Sequence, residues 1–382
     1  MRRATVIVMD GCGVGALPDA AAYGDEGTNT LGHLSELAEG LDLPTLGALG
    51  LGSVLALRGV PPAADPVLHG RVGAQGPGKE STTGHWELMG VRVQHALPTY
   101  PSGFPPDVVA ALEDATGLRF CCNRPFSGTE VLEVFGEHHL NSGEVILYTS
   151  ADSVLQLAAH VDRLSEPELY EACSRAREVM QGEHAVGRVI ARPFQGGVGS
   201  WRRREGRRDF AVPPPTRSYL EELQAAGMPV HGVGKIRDLF AGVGVDVKHP
   251  GASNAEAVAS TTALLREPAD GLIFVNLVET DQVYGHRHDV AGFAAALRAI
   301  DDAVAQWLTL LGDGDLLVLT ADHGVDPSAD HTDHTREYAP LLARFAGHGG
   351  RRHDGVLADV GASVFAWLTD EDVPGLPGRS FL

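Results

Sequence analysis

The chain has 382 residues, 43% of them hydrophobic and 21% charged, and its 50 acidic residues against 30 basic ones leave a net charge of −20. This composition excludes a disordered chain, and the acidic excess argues against wholesale binding to nucleic acid or an anionic membrane. The length suits two domains better than one.

The first strand signal is Ala4–Met9, an apolar run that ends in Asp10. The basic start before it is followed by too few apolar residues for a signal peptide. No segment approaches the roughly 20 apolar residues needed to span a bilayer, so a cytoplasmic protein with no membrane or nucleic-acid partner is expected. Cys12, Cys121, Cys122 and Cys173 show no C-x-x-C spacing, and two of them are adjacent, which fits free thiols in a reducing compartment.

Further along, proline clusters at Pro98–Pro106 and Pro213–Pro215 bracket a stretch long enough to be a small domain. Residues 98–211 are therefore read as an inserted α/β cap, with 1–97 and 212–382 forming a discontinuous core. Strand signals inside the insert are Val145–Thr149 and Arg188–Ala191. After it come a strand at Val230–Val233 and a helix from Ser253 to about Arg266, opened by a Ser-x-x-Glu capping pattern. A strand at Gly271–Val278 leads to Asp281 and His286. Asp289 then caps a helix whose apolar positions are Phe293, Leu297, Ile300, Val304, Leu308 and Leu311, with Gly312 as the stop. The last strand, Leu316–Thr320, runs into Asp322 and His323. Alternating strands and helices predict an α/β fold with a mainly parallel central sheet flanked by helices.

Three apolar strands thus end in an acid. In a parallel sheet the ligand crevice lies beyond the carboxyl ends of the strands, so Asp10, Asp281 and Asp322 are expected at one edge. Gathered carboxylates repel each other unless cations hold them. Asp and His together suit manganese, zinc or iron better than calcium. A second motif, Gly78-Lys79-Glu80-Ser81-Thr82-Thr83-Gly84-His85-Trp86-Glu87, brackets hydroxyls with glycines. It reads either as a helix N-cap or as a turn that presents a nucleophile for activation by a metal.

These motifs, with Asp10–Gly15, Gly27–His33, Tyr148–Ser153 and Thr320–Gly324 followed by Asp333–Tyr338, resemble the phosphopentomutase family of the alkaline phosphatase superfamily over nearly the whole chain. The resemblance implies an alkaline-phosphatase-like core and two divalent metal ions, manganese being favoured. Asp10, Asp322 and His323 would hold one ion together with the nucleophile's oxygen, and Asp281, His286 and His334 the other. The family's Asp-Thr before the Gly-His-Trp is Glu80-Ser81 here, which makes Ser81 the expected phosphorylated residue and leaves Thr82 as a second candidate. The family's Asn after Thr-Ala-Asp-His-Gly is Val325.

By the same resemblance, Ser150, Asp152, Arg188, Arg203 and Lys235 would contact the sugar phosphate, since arginine's planar fork matches phosphate oxygens. Arg202, Arg204 and Arg208 are read as a solvated basic face. His138, His139, His160 and His353 show no partner pattern and are read as surface or packing residues. His331 is an alternative ligand outside the motif, and His85 is expected to shape the nucleophile loop. The expected activity is interconversion of (deoxy)ribose 1-phosphate and 5-phosphate through a phosphoserine and a sugar 1,5-bisphosphate. Glucose 1,6-bisphosphate or a similar sugar would be the activator. A metal-dependent phosphomonoesterase or phosphodiesterase on the same ligands is the alternative, and a noncatalytic metal-binding protein would have no need of the nucleophile.

Overall fold

The computed structural model describes residues 2–150, 153–267, 269–347 and 349–382. Every residue of the strand Arg3–Met9 is buried, which requires a neighbour on both edges and cover on both faces. Gly271–Leu277 runs parallel to it on one side and Asp315–Thr320 on the other. Met9 pairs with Leu277 and Val8 with Thr320, so all three strands leave the sheet at the same edge. Asp10, Asp281 and Asp322 follow those exits.

Among the described residues this sheet has eight strands, ordered Val247–His249, Val230–Val233, Gly271–Leu277, Arg3–Met9, Asp315–Thr320, Ala339–Arg344, Leu68–Gly73 and Gly355–Val356. Pairing is parallel except at Ala339–Arg344, which is antiparallel to both neighbours. Helix Ala358–Thr369 packs on Arg3–Met9 and Asp315–Thr320, and helix Asn254–Arg266 packs on Gly271–Leu277. Arg3 ties strand to helix. Its Nε lies 2.8 Å from Asp315 Oδ1, and Nη1 donates to the Leu265 and Glu267 carbonyls at the helix end, where a cation satisfies carbonyls left without helical partners.

Local signals explain the helix starts. Ser253 accepts the Glu256 N–H at 3.2 Å, while the Glu256 carboxylate takes the Ala252 N–H, one residue outside the reciprocal box. Asp289 accepts the Gly292 N–H at 2.9 Å and opens helix Val290–Leu308. Phe293, Leu297, Ile300 and Val304 are buried along its inner stripe. The expected continuation through Leu308 and Leu311 is corrected. The helix ends at Leu308, which is only partly buried, and Leu311 lies beyond it. Trp307 takes the core position, three residues after Val304, and its indole N–H donates to Thr262 at 2.9 Å.

The chain forms two compact units, Met1–His95 with Pro214–Leu382, and Ala96–Pro213. The second unit holds a mixed sheet ordered Phe120–Pro125, Val145–Thr149, Val154–His160, Arg188–Gln195 and Arg202–Arg203, with Arg208–Ala211 also pairing to Arg188–Gln195. Its faces separate by the two-residue strand period. Leu147, Leu155, Leu157 and Val189 join one apolar cluster, with Leu169 and Cys173 from helix Glu166–Val179. Ile146, Tyr148, Ala158 and Phe194 join another, with Val131 and Leu132 from helix Glu130–Ser142.

Leu297→Ala should cost about 3 kcal/mol of folding stability by leaving a cavity, and Ser253→Ala about 1 kcal/mol by removing a cap. Shifts in denaturant midpoint at unchanged slope would measure both.

Candidate active site

Each acid beyond the sheet edge is held by its own local turn. Asp10 directly follows Met9 and is fully buried. Its carbonyl accepts Thr280 Oγ1 at 2.6 Å, and its carboxylate Oδ2 accepts Asn276 Nδ2 at 2.9 Å. Gly11 comes next with φ +73, and a Cβ there would meet Val325 Cγ1 at 2.7 Å. Val325 fills the apolar gap between Gly11 and Gly285 and touches the site through packing. Asp281 sits in a π-helical turn, Thr280–Tyr284, and His286 in the tight turn that follows. Such widened turns are rare and concentrate at functional sites.

The three histidines expected as ligands share one arrangement. Nδ1 of His286 lies 2.6 Å from the Thr332 carbonyl, that of His323 lies 3.0 Å from the Gly324 carbonyl, and that of His334 lies 3.1 Å from the Lys79 carbonyl. A carbonyl only accepts, so each Nδ1 carries a proton and each Nε2 faces inward, the atom that a metal ion would take in place of a proton. His286 and His334 place Nε2 3.4 Å from Asp281 Oδ1 and 3.2 Å from each other. His323 Nε2 lies 3.3 Å from both Asp10 Oδ1 and Asp322 Oδ2. The His323 and His334 rings stack with centroids 3.8 Å apart, which joins the groups into one cluster.

Ser81 begins helix Ser81–Leu88. Its Oγ is 3.0 Å from His323 Nε2 and 3.5 Å from Asp10 Oδ1. Thr82 is also buried, but it makes no hydrogen bond to this cluster among the described residues. His85 Nδ1 donates to the Ser81 carbonyl at 2.8 Å, and its Nε2 faces Asn276 Nδ2 at 3.2 Å. Lys235, after strand Val230–Val233, extends Nζ to 3.8 Å from Asp10 Oδ2. His331 Nε2 lies 3.2 Å from Asp25 Oδ1 and is in none of the groups of potential ligand atoms that converge among the described residues.

In the second unit, Arg188 reaches Asp209 at 3.5 Å and Arg203 Nε donates to the Gly128 carbonyl at 3.0 Å. Ser150 directly follows the strand Val145–Thr149, whereas Asp152 lies outside the described residues. Arg204 and Arg208 are less free than a solvated face implies. Arg204 Nε donates to Glu166 at 3.0 Å, and Arg208 lies over Tyr170 and Phe210 at 5.4 and 5.1 Å. The histidines read as lacking partners also have them. His138 and His353 bind Glu144 and Asp359, and His139 accepts the His160 N–H.

The pocket attracts positive charge. Burial opposes ionisation of Asp322, but the neighbouring His323 and His85 overcome that and hold its carboxyl far below the usual range. Burial likewise opposes the His323 imidazolium, yet Asp322, Asp10 and Asp281 lift it to about 10. The contact with Asp281 chiefly raises His286 to about 9. Asp281 Oδ1 and Asp322 Oδ2 are buried and accept no aligned hydrogen bond. Two orphaned carboxylate oxygens beside inward-facing imidazole Nε2 atoms, whose protons a metal ion would displace, fit a divalent cation site. Atoms of Asp281, His286 and His334, and of Asp10, Asp281 and His323, converge within 4.8 Å in each group.

Sequence reasoning missed three supports. Asn276 orients Asp10, and its signal was an amide inside an otherwise apolar strand. Thr280 holds the Asp10 carbonyl. Asp25, fully buried, accepts Lys79 Nζ at 3.2 Å, His331 Nε2 at 3.2 Å and the Arg336 N–H at 2.8 Å.

The description "Metalloenzyme superfamily" belongs to a family model that matches residues 2–369. Fold and site therefore define a member of that superfamily. A crystal structure of Leishmania mexicana phosphoglycerate mutase shares the fold, with TM-score 0.51 at 14% identity over 99% of this chain and 97% of that one. A phosphopentomutase of Anaeromyxobacter dehalogenans is 47% identical over 96% of this chain and 99% of its own length. Another, from Dictyoglomus turgidum, is 47% identical over 100% of this chain and 98% of its own. The chain belongs to the phosphopentomutase family.

Asn276→Ala should leave the fold intact and weaken divalent-ion binding by about 10- to 100-fold, the usual cost of losing a group that orients a ligand. Isothermal titration of manganese would measure it.

Proposed function

We propose that this chain is a phosphopentomutase, an isomerase that interconverts ribose 1-phosphate and ribose 5-phosphate and the corresponding deoxyribose pair. The observation that carries the mechanism is the position of Ser81 Oγ at a helix N-terminus, 3.0 Å from His323 Nε2 and 3.5 Å from Asp10 Oδ1.

Asp10, Asp322 and His323 would hold one divalent ion and Asp281, His286 and His334 a second, with manganese suited to this oxygen and nitrogen set. When bound, such ions supply positive charge that activates a hydroxyl and neutralises a transferring phosphoryl group. Ser81 carries that phosphoryl in the active enzyme. The helix N-terminus favours the anion it creates. Transfer breaks the bond between Ser81 Oγ and phosphorus and forms one to the free sugar hydroxyl, whose proton is left for the Ser81 oxygen. The resulting sugar 1,5-bisphosphate then returns its other phosphate to Ser81. A bisphosphorylated sugar such as glucose 1,6-bisphosphate primes the unphosphorylated serine.

Around that step the chain's own groups position and neutralise. Lys235 adds a cation beside Asp10. The Asp25 network holds the backbone before Ser81 in place. Ser150 and Asp152 are assigned to the sugar, and Arg188 and Arg203 to its phosphate, because guanidinium forks match phosphate oxygens. The chain has no helix long and apolar enough to cross a membrane among the described residues. A cytoplasmic site of action and small sugar phosphates, with no nucleic-acid or membrane partner, complete the proposal.

Incubation with glucose 1,6-bisphosphate followed by peptide mass spectrometry should place phosphate on Ser81. Ser81→Ala should abolish isomerisation while manganese binding persists, and Thr82→Ala should retain turnover. The reverse pattern would move the nucleophile to Thr82, and stoichiometric release of inorganic phosphate from ribose 5-phosphate would identify a phosphatase instead. Arg203→Ala should raise KM for ribose 5-phosphate by about 10-fold or more, the worth of a charge-assisted hydrogen bond.

A further inference from the structure

A second group of metal-competent side chains lies in the Ala96–Pro213 unit, on elements that carry none of the residues assigned above. Cys121 sits on the edge strand Phe120–Pro125 and pairs with Ile146 of the next strand. His138 projects from helix Glu130–Ser142, which covers that face of the sheet. Glu144 occupies the turn between helix and strand, after Gly143 at φ +80. One thiol sulfur, one imidazole nitrogen and one carboxylate oxygen from these residues fall within 4.8 Å of one another. His138 Nε2 and Glu144 Oε2 are already 2.7 Å apart, and Cys121 Sγ approaches the Glu144 carbonyl at 3.8 Å.

We infer that Cys121, His138 and Glu144 form a binding site for a borderline-soft divalent ion, of which zinc is the best match. Sulfur, imidazole and carboxylate are the three donor types zinc accepts together, and three protein ligands leave a fourth position for water. Exposure agrees with an open site, since the His138 and Glu144 side chains are 51% and 39% accessible. The hard-donor cluster beyond the large sheet presents carboxylates and imidazoles without a converging thiol, so the two sites select different ions. An exposed His–Glu contact by itself contributes little to stability, and the nearby sulfur distinguishes this one.

Nucleophilic or peroxide-sensing chemistry at Cys121 is disfavoured, because such cysteines need a readily formed thiolate. Burial, with Glu144 and Cys122 adding to it, pushes this thiol up to about 12. Binding an ion therefore releases the thiol proton to solvent. The bound ion would cross-link strand, helix and turn, and its occupancy would stabilise the folded unit by mass action.

Cobalt(II) is the probe, added to manganese-loaded full-length protein. One equivalent should bind with a near-ultraviolet thiolate-to-cobalt charge-transfer band and the strong visible absorption of four-coordinate cobalt, and zinc should displace it. Cys121→Ser should remove the charge-transfer band, and Cys122→Ser should keep it. His138→Ala, on an exposed helix face that tolerates substitution, should weaken cobalt binding by about 10-fold or more. Both the Cys121 and His138 variants should keep ribose 5-phosphate isomerisation, which separates this site from the active site and reports correct folding. A parent protein without the band, a band that survives Cys121→Ser, or cobalt affinity untouched by His138→Ala would each overturn the inference.

Discussion

The rest of the structure depends on one electrostatic constraint: Asp10, Asp281 and Asp322 are buried together where three parallel strands end. Water cannot screen them there, and each would resist ionisation if it stood alone. Three histidines and Lys235 crowd around them, and two carboxylate oxygens are still left without a donor. The arrangement favours a cation at its centre. The strand register brings the acids together, and the backbone carbonyls that fix each Nδ1 decide where each Nε2 points.

A second network holds Ser81, the proposed nucleophile, in that field. Arg336 donates to the Gly78 carbonyl at 2.6 Å and to both Asp19 oxygens, at 3.1 and 2.9 Å. Asp25 gathers Lys79, His331 and the Arg336 backbone. Segments far apart in the chain thereby fix the approach to Ser81. A hydroxyl must sit within a fraction of an ångström of its working position, and redundant support of this kind supplies the rigidity.

Much of this was legible from residues. Arg3–Met9, Gly271–Leu277 and Asp315–Thr320 read as buried strands because each is an apolar run with an acid just beyond. Leu68–Gly73 was missed because His69, Gly70 and Arg71 break the apolar pattern. Ala339–Arg344 was missed because Pro340 argues against a sheet interior, although it lies between two antiparallel neighbours. At the site, residue type and spacing pointed to side chains that converge, but not to what orients them. Asp25 and Thr280 look like any loop Asp and Thr until the chain closes around them. Among the histidines outside the motifs, His138 and His353 meet acids six residues further on, whereas His139 and His160 meet through the folding of a longer segment.

The position of Arg3–Met9 at the middle of its sheet also governs how the molecule is made. Both flanking strands are encoded more than 250 residues downstream, so at ribosomal speeds the first segment waits roughly tens of seconds for its partners. Ala96–Pro213, contiguous in the chain, emerges complete long before then. The large sheet can therefore close only after the Ala96–Pro213 unit has been synthesised, with Arg3–Met9 unpaired at its centre until both flanking strands arrive.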